Sequence, residues 1–253
     1  MMEITDIIDE KLKEIEEKES VKILHAVESG SRAWGFASPD SDYDVRFIYV
    51  RKKEDYLTLR EKRDVIEWQL DETLDINGWD LKKALQHFYK SNATLFEWSN
   101  SPIVYRTTDE WKEIYKVARD YFSIKASMYH YYGTANGNYL EYLRESEVKY
   151  KKYFYVIRPL LACKYIAEKS APPPVLFSEL MKLELPGEIE TEIQKLLEIK
   201  AGMPEVGKGE RIELLNQYIE TELAAYKNDL NMLKDDRKAE WNELDRLFLK
   251  ILS

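Results

Sequence analysis

Residues 28–49 read ESGSRAWGFASPDSDYDVRFIY, and their pattern decides how the rest of the chain is organised. Gly30-Ser31 follows an apolar, β-prone run at residues 21–27 (VKILHAV). Asp42-Tyr43-Asp44 opens a second such run at residues 45–50 (VRFIYV). The local expectation is strand, glycine turn, short helix, Ser-Pro-Asp-Ser turn, strand. Side chains alternate along a strand, so Asp42 and Asp44 emerge on one face with Tyr43 opposite. Two carboxylates so close on one surface repel. A divalent cation relieves them most simply, since Mg²⁺ takes one or two carboxylates and completes its shell with water and phosphate oxygens. Glycine lets the backbone approach a ligand, and Ser31 with the first amides of the next helix suits phosphate. Asp-x-Asp alone, or Gly-Ser alone, describes many solvated turns. Both in this order, each flanked by an apolar strand, are far more specific.

The same residues resemble the nucleotidyltransferase core shared by DNA polymerase beta, poly(A) polymerases and aminoglycoside nucleotidyltransferases. The fuller text GSRAWGFASPDSDYDVRFIY, with the later blocks DINGWDLKKAL, SNATLFEWSNSPIVY and KYKKYFYVIRPLLACKYI, resembles a narrower group, the RlaP-type predicted nucleotidyltransferases associated with RNA repair. The resemblance runs from about residue 23 to about residue 180. It implies an α/β (α+β) nucleotidyltransferase core with a mixed sheet, followed by an α-helical domain. It also implies NMP transfer from an NTP, ATP among the candidates, to an acceptor hydroxyl, with Mg²⁺ or Mn²⁺ as cofactor. An RNA end is the acceptor that the family points to, with RNA-repair proteins as candidate partners. A protein or small-molecule acceptor, or a nucleotide-binding protein without catalysis, stays open on the residues alone.

Such a core requires a third carboxylate on an adjacent strand. Residues 64–70 (DVIEWQL) and 73–79 (TLDINGW) read as two strands joined by a tight polar turn. Asp75 lies within the second and is the expected third carboxylate, beside Asp42 and Asp44 as metal ligands and catalytic groups. Asp80 is the runner-up, with N-capping of a helix at residues 81–89 as its structural alternative. Gly30, Ser31 and Arg32 are the expected contacts to the β/γ-phosphates. A helix start at residues 91–94 and a short extended segment at residues 101–105 close the α/β part near residue 107. The expected domains are therefore 1–107, catalytic, and 108–253, helical and substrate- or nucleotide-binding.

The later text is helical, and its charge is unevenly spread. Residues 149–158 (KYKKYFYVIR) form the one basic and aromatic concentration. Lys149, Lys152, Tyr153 and Arg158 are its candidate nucleotide ligands, because cations neutralise a triphosphate and a tyrosine stacks on a base. A solvated helix face is the plain alternative. The expected helices cover residues 4–18, 111–132, 139–169 (as one long helix or two nearly collinear ones), 188–201, 208–231 and 236–252. GTANGN at 133–138 and SAPPP at 170–174 read as breaks, and Pro159 reads as a kink.

Bulk properties narrow the class. The 253 residues carry 38 Lys and Arg against 47 Asp and Glu, a net charge of −9. Binding along a nucleic acid duplex normally needs a basic stripe, so this charge favours a small substrate or an RNA end. The acidic, amphipathic first twenty residues read as neither a signal nor a transit peptide. No apolar run approaches a membrane span. Cys163 is the single cysteine, which leaves no internal disulfide and suits a reducing cytoplasm. Three scattered histidines make a zinc site a poor expectation.

Overall fold

The computed structural model describes residues 3–38, 41–69, 73–202 and 208–253. The expected turns at Pro39-Asp40 and at residues 70–72 lie outside them. The chain opens with helix α1 (Ile4–Glu19), then β1 (Lys22–Glu28), the four-residue α2 (Gly30–Ala33) and β2 (Tyr43–Val50). Next come α3 (Lys53–Tyr56), β3 (Val65–Gln69), β4 (Leu74–Asp80), α4 (Leu81–Tyr89), α5 (Ala93–Ser99), β5 (Val104–Thr107) and α6 (Asp109–Ala118). The described strands β1 to β5 form one sheet in the order β3-β4-β2-β1-β5. β2 and β4 are parallel, and the other pairings are antiparallel, so the sheet is mixed.

Periodicity explains which face is covered. Ile8, Leu12 and Ile15 recur at helical spacing on α1 and are fully buried. They meet Ile23 and Ala26 of β1, Val45, Phe47 and Tyr49 of β2, Ile66 of β3, and Leu74 and Ile76 of β4. Each such side chain contributes about 1.5–3 kcal/mol on burial, which stabilises a helix that would be marginal alone. Arg106 of β5 ties α1 down through Asp9 and Glu16, each at 2.7 Å. On β2 the alternate residues Asp44 and Arg46 therefore point to the other face. There α4 packs on β2 and β4, and Trp79 lies 4.5 Å from Trp98 between ring centroids.

The second half continues with α7 (Ile124–Tyr142), β6 (Glu147–Lys149), α8 (Lys151–Lys169), α9 (Phe177–Leu180), α10 (Gly187–Gly202), β7 (Lys208–Glu210), α11 (Glu213–Met232) and α12 (Asn242–Ile251). The compact units divide differently from the expected 1–107 and 108–253. One unit comprises residues 1–33, 42–121 and 237–253, and the other residues 34–41 and 122–236. The terminal segment belongs to the first unit because Trp241 stacks on Tyr89 at 3.6 Å and the Glu240 carbonyl accepts from the Tyr121 hydroxyl.

Several helix expectations fail: that for 208–231 begins as a strand, Lys208–Glu210, that for 236–252 begins only at Asn242, and two others fail for a physical reason. GTANGN is not a break: α7 runs through it, because Met128, Tyr131, Ala135 and Tyr139 form a buried stripe at helical spacing across both glycines. The chain breaks earlier, before α7, where Ser123 caps it and Asp236 accepts from Ser123 Oγ at 2.5 Å and from the Ile124 amide at 2.7 Å. Residues 139–169 are not one helix either. Glu147–Lys149 is a strand paired antiparallel with Lys208–Glu210, and Tyr150 packs so closely on Gly209 that a Cβ there would lie 2.3 Å from its hydroxyl. The helix α8 then continues through Pro159. Among the described residues no helix is long and apolar enough to cross a membrane.

Candidate active site

Strand register assembles the carboxylates. The parallel pairing of β2 with β4 sets Asp44 opposite Asp75. Asp42 stands two residues before Asp44, exposed and just ahead of β2. Asp80 pairs with Tyr49, five steps further along β4, or about 16 Å at the usual strand rise. It is buried, accepts from the Lys82 amide at 2.8 Å as the α4 N-cap, and accepts from the Tyr56 hydroxyl at 3.0 Å. Burial pushes its carboxyl above the usual carboxylate range. The fold thus brings Asp75, and not Asp80, beside Asp44.

Gly30 is shaped to that pair. Its φ is +61°, a left-handed conformation that glycine adopts without strain. A Cβ here would sit 2.2 Å from Asp44 Oδ2, so only glycine lets the turn close on the carboxylate. The Ser29 amide donates to the Asp44 carbonyl at 2.8 Å and joins the turn to β2. Ser31 is half-buried in α2. Arg32 donates from Nε to the Asp42 carbonyl at 3.1 Å, and its guanidinium lies 3.7 Å from the centre of the Tyr43 ring.

Two charged residues of this site were absent from the sequence-based candidates. Glu28 is 1% exposed, accepts from the Asp44 amide at 2.7 Å and from the Tyr105 hydroxyl, and so fixes the backbone that carries Asp44. Its burial raises its carboxyl pKa despite those two bonds. Arg46 donates from one nitrogen to Asp44 Oδ1 at 2.9 Å and to Asp75 Oδ2 at 2.8 Å. Asp44 is held above the usual carboxylate range, first by burial and then by Asp75 and Asp42, with Arg46 opposing. Residues 44 and 46 share one face of β2, so Arg46 was legible from the period of two that pairs Asp42 with Asp44 in the sequence. Glu28 carried a weaker signal, a charge ending an apolar strand just before the glycine turn.

The donor chemistry fits a hard divalent cation. Among the described residues no group of three or more potential protein ligands is assembled into a metal cluster. Asp44 and Asp75 nonetheless aim oxygens at one point, and a guanidinium nitrogen already stands there as a cation. Two carboxylates with water and phosphate oxygens suit Mg²⁺.

The basic run at residues 149–158 is dispersed. Lys149 lies on β6 and Lys152 on α8, so they share no helix face. Lys152 sits 3.5 Å from the centre of the Tyr142 ring. Tyr153 is fully buried; it donates to Asn216 Oδ1 at 2.7 Å and accepts from the Ile212 amide at 2.8 Å. Arg158 is 4% exposed, donates to the Val175 carbonyl and covers the Trp34 ring at 4.5 Å. Tyr153 and Arg158 are therefore packed inside the second unit, while Lys149 and Lys152 remain at least partly accessible.

The family profile described as RlaP, RNA repair pathway DNA polymerase beta family, matches residues 4–250. The chain belongs to this family. RlaP membership and the mixed α/β sheet make the protein a polymerase beta-like nucleotidyltransferase. A relative from Bacillus subtilis (strain 168), named uncharacterized protein YcgL, is 48% identical over 247 residues, covering 96% of this chain and 94% of its own. A solved structure of a nucleotidyltransferase-like protein from Exiguobacterium sibiricum 255-15 aligns over 89% of this chain and 75% of its own, at 12% identity and a TM-score of 0.31.

Proposed function

We propose that the protein is a metal-dependent cytoplasmic enzyme that transfers NMP from an NTP to the hydroxyl of an RNA end, in RNA repair alongside other repair proteins. The observation that carries this reading is the register pair Asp44 and Asp75, with the Gly30 turn closed against the Asp44 carboxylate. The family description supports the RNA substrate.

Asp44 and Asp75, with Asp42 two residues before Asp44, would hold Mg²⁺ or Mn²⁺, which would neutralise the triphosphate and lower the pKa of the attacking hydroxyl. The acceptor oxygen attacks the α-phosphorus and the bond from that phosphorus to the β-phosphate bridging oxygen breaks. Pyrophosphate leaves, and the hydroxyl proton passes to a carboxylate oxygen of Asp75. The Gly30 backbone, Ser31 and Arg32 orient the β/γ-phosphates, and Glu28 holds Asp44 in place through its amide. Most of the rate comes from positioning and charge compensation, and no covalent nucleophile is required.

The test is transfer of label from each α-labelled NTP into RNA, protein and small-molecule fractions, by the wild type, Asp42→Asn and Asp75→Asn. Label in the RNA fraction that vanishes in both variants, at unchanged melting temperature, is the expected result. Label confined to protein or small molecules would overturn the RNA-end acceptor. Full activity of Asp75→Asn would remove its role as ligand and base.

A further inference from the structure

The guanidinium of Arg46 is too well fixed for an incidental surface charge. Its side chain is 17% exposed. One terminal nitrogen donates to the backbone carbonyls of Val45 at 3.1 Å and Asp75 at 3.2 Å. The other forks to Asp44 Oδ1 and Asp75 Oδ2. Exposed ion pairs are worth little because two mobile side chains must be ordered together. Here the two carbonyls order the guanidinium whether or not the carboxylates engage it. Since both carboxylate oxygens touch one nitrogen, at 2.9 and 2.8 Å, they lie within about 6 Å of each other, a separation at which two like charges repel unless a cation stands between them. A lysine would offer a point charge, whereas arginine divides its work between carbonyls and carboxylates.

We propose that Arg46 is the resident counter-cation of the Asp44–Asp75 pair, which holds both carboxylates toward one point in the metal-free protein and is displaced by the divalent cation. This rests on the reading of that pair as metal ligands. A cation entering the site must take the carboxylate oxygens from Arg46. The carbonyl anchors keep the guanidinium nearby, so a bare divalent ion meets a like charge. Polyphosphate that accompanies the ion offsets this repulsion, and the cation therefore loads best together with its nucleotide.

The experiment measures Mn²⁺ affinity, without nucleotide, in the wild type, R46Q, R46K and the double variant D44N/D75N, with circular dichroism to check folding. R46Q should bind Mn²⁺ about tenfold more tightly than the wild type, because one opposing unit charge close to the ion is gone. It should also melt at a lower temperature when metal-free. R46K, which keeps the charge but lacks the fork, should fall between the two, and it carries the test alone where R46Q does not fold. If D44N/D75N abolishes binding while R46Q and R46K bind no more tightly than the wild type, Arg46 is not the displaced cation, and the metal-ligand reading survives. If Mn²⁺ binding is absent from the wild type, R46Q and R46K alike, or is indifferent to D44N/D75N, the metal-ligand reading fails and takes this inference with it.

Discussion

Two glycine-bearing regions look alike in the sequence and behave in opposite ways. GSRAWG at residues 30–35 and GTANGN at residues 133–138 both read as places where the chain turns. At the first, Gly30 has φ of +61° and its missing side chain makes room for the Asp44 carboxylate. At the second, Gly133 and Gly137 lie inside α7, with open space where their side chains would be. The difference teaches that glycine marks a turn only where something presses against it. Charge follows the same division. Arg46, Asp44 and Asp75 converge, while Lys149, Lys152, Tyr153 and Arg158 go to a strand, a half-exposed helix face and a packed interior.

The largest effect should come from filling the first glycine. Gly30→Ala forces an L-residue into the left-handed region, at about 1–2 kcal/mol, and drives its methyl into Asp44 Oδ2. Either the turn or the carboxylate must move by more than an ångström. Nucleotidyl transfer should fall by about 100-fold or more, the usual result of misplacing a catalytic group that far. A kinetic assay beside a thermal melt checks this. Near-normal activity in a folded variant would mean that the turn does not position Asp44.

The strand that delivers Gly30 carries a titration that sharpens the contrast. His25 of β1 is buried, stacks on Trp111 at 4.9 Å and bonds the Trp98 carbonyl and the Thr107 hydroxyl. Burial lowers its pKa from 6.5 to about 4. The native state therefore keeps the imidazole neutral while the unfolded state takes up a proton below pH 6.5. Stability contributed by the neutral ring is complete above pH 6.5 and is lost as pH falls toward 4, by about 3 kcal/mol in all. Raised carboxylates such as Glu28 and Asp80 act with the opposite sign, so the measurement is the difference between wild type and His25→Gln. Denaturant melts from pH 7 to pH 4 should show the variant losing less. Equal slopes would remove His25 from the account.

Legibility in the sequence tracked the period of the pattern. A period of two, with apolar runs on either side, located β1 and β2 and placed Asp42 and Asp44 on one face. Asp75 was legible as a strand carboxylate and Asp80 as a cap, but their separation along β4 needed the register, which no single strand states. The later half was read from residue type, and there it misled. Lys149 to Arg158 looked like one helix because nothing local announces that residues 147–149 pair with residues 208–210, some sixty positions away. The stripe Met128, Tyr131, Ala135 and Tyr139 was visible throughout and outweighs the two glycines that drew attention.

Tyr153 tests that misreading at a smaller scale. Its hydroxyl bridges Asn216 and the Ile212 amide inside the second unit. Tyr153→Phe leaves one buried acceptor and one donor without this partner, and should cost about 1–3 kcal/mol of stability in a denaturant melt. Affinity for a non-hydrolysable NTP with Mg²⁺ should stay unchanged under conditions where the variant is folded. Lost affinity at an unchanged melting point would return Tyr153 to the nucleotide.

The smallest expected effect, and the one that bears most directly on the opening contrast, is at Gly133 and Gly137. A glycine within a helix forfeits backbone entropy on folding and is about 1 kcal/mol less favourable than alanine. Where the native φ suits any residue and a Cβ meets nothing, alanine restricts the unfolded chain and stabilises by about 0.4–1 kcal/mol. Both conditions hold here, since the positive-φ glycines are Gly30 and Gly35 among the described residues, and beyond the helix's own backbone and the adjacent residues a Cβ at either position would meet no atom within 4 Å. Gly133→Ala and Gly137→Ala should each raise the melting temperature modestly and add nearly independently. They sit four residues apart on one helix, so a small favourable coupling is the only departure expected. A turn at GTANGN would give the reverse, because alanine in a left-handed position costs more than the entropy it saves. The sign of a change below 1 kcal/mol thus decides between a helix that passes through the glycines and a chain that stops at them.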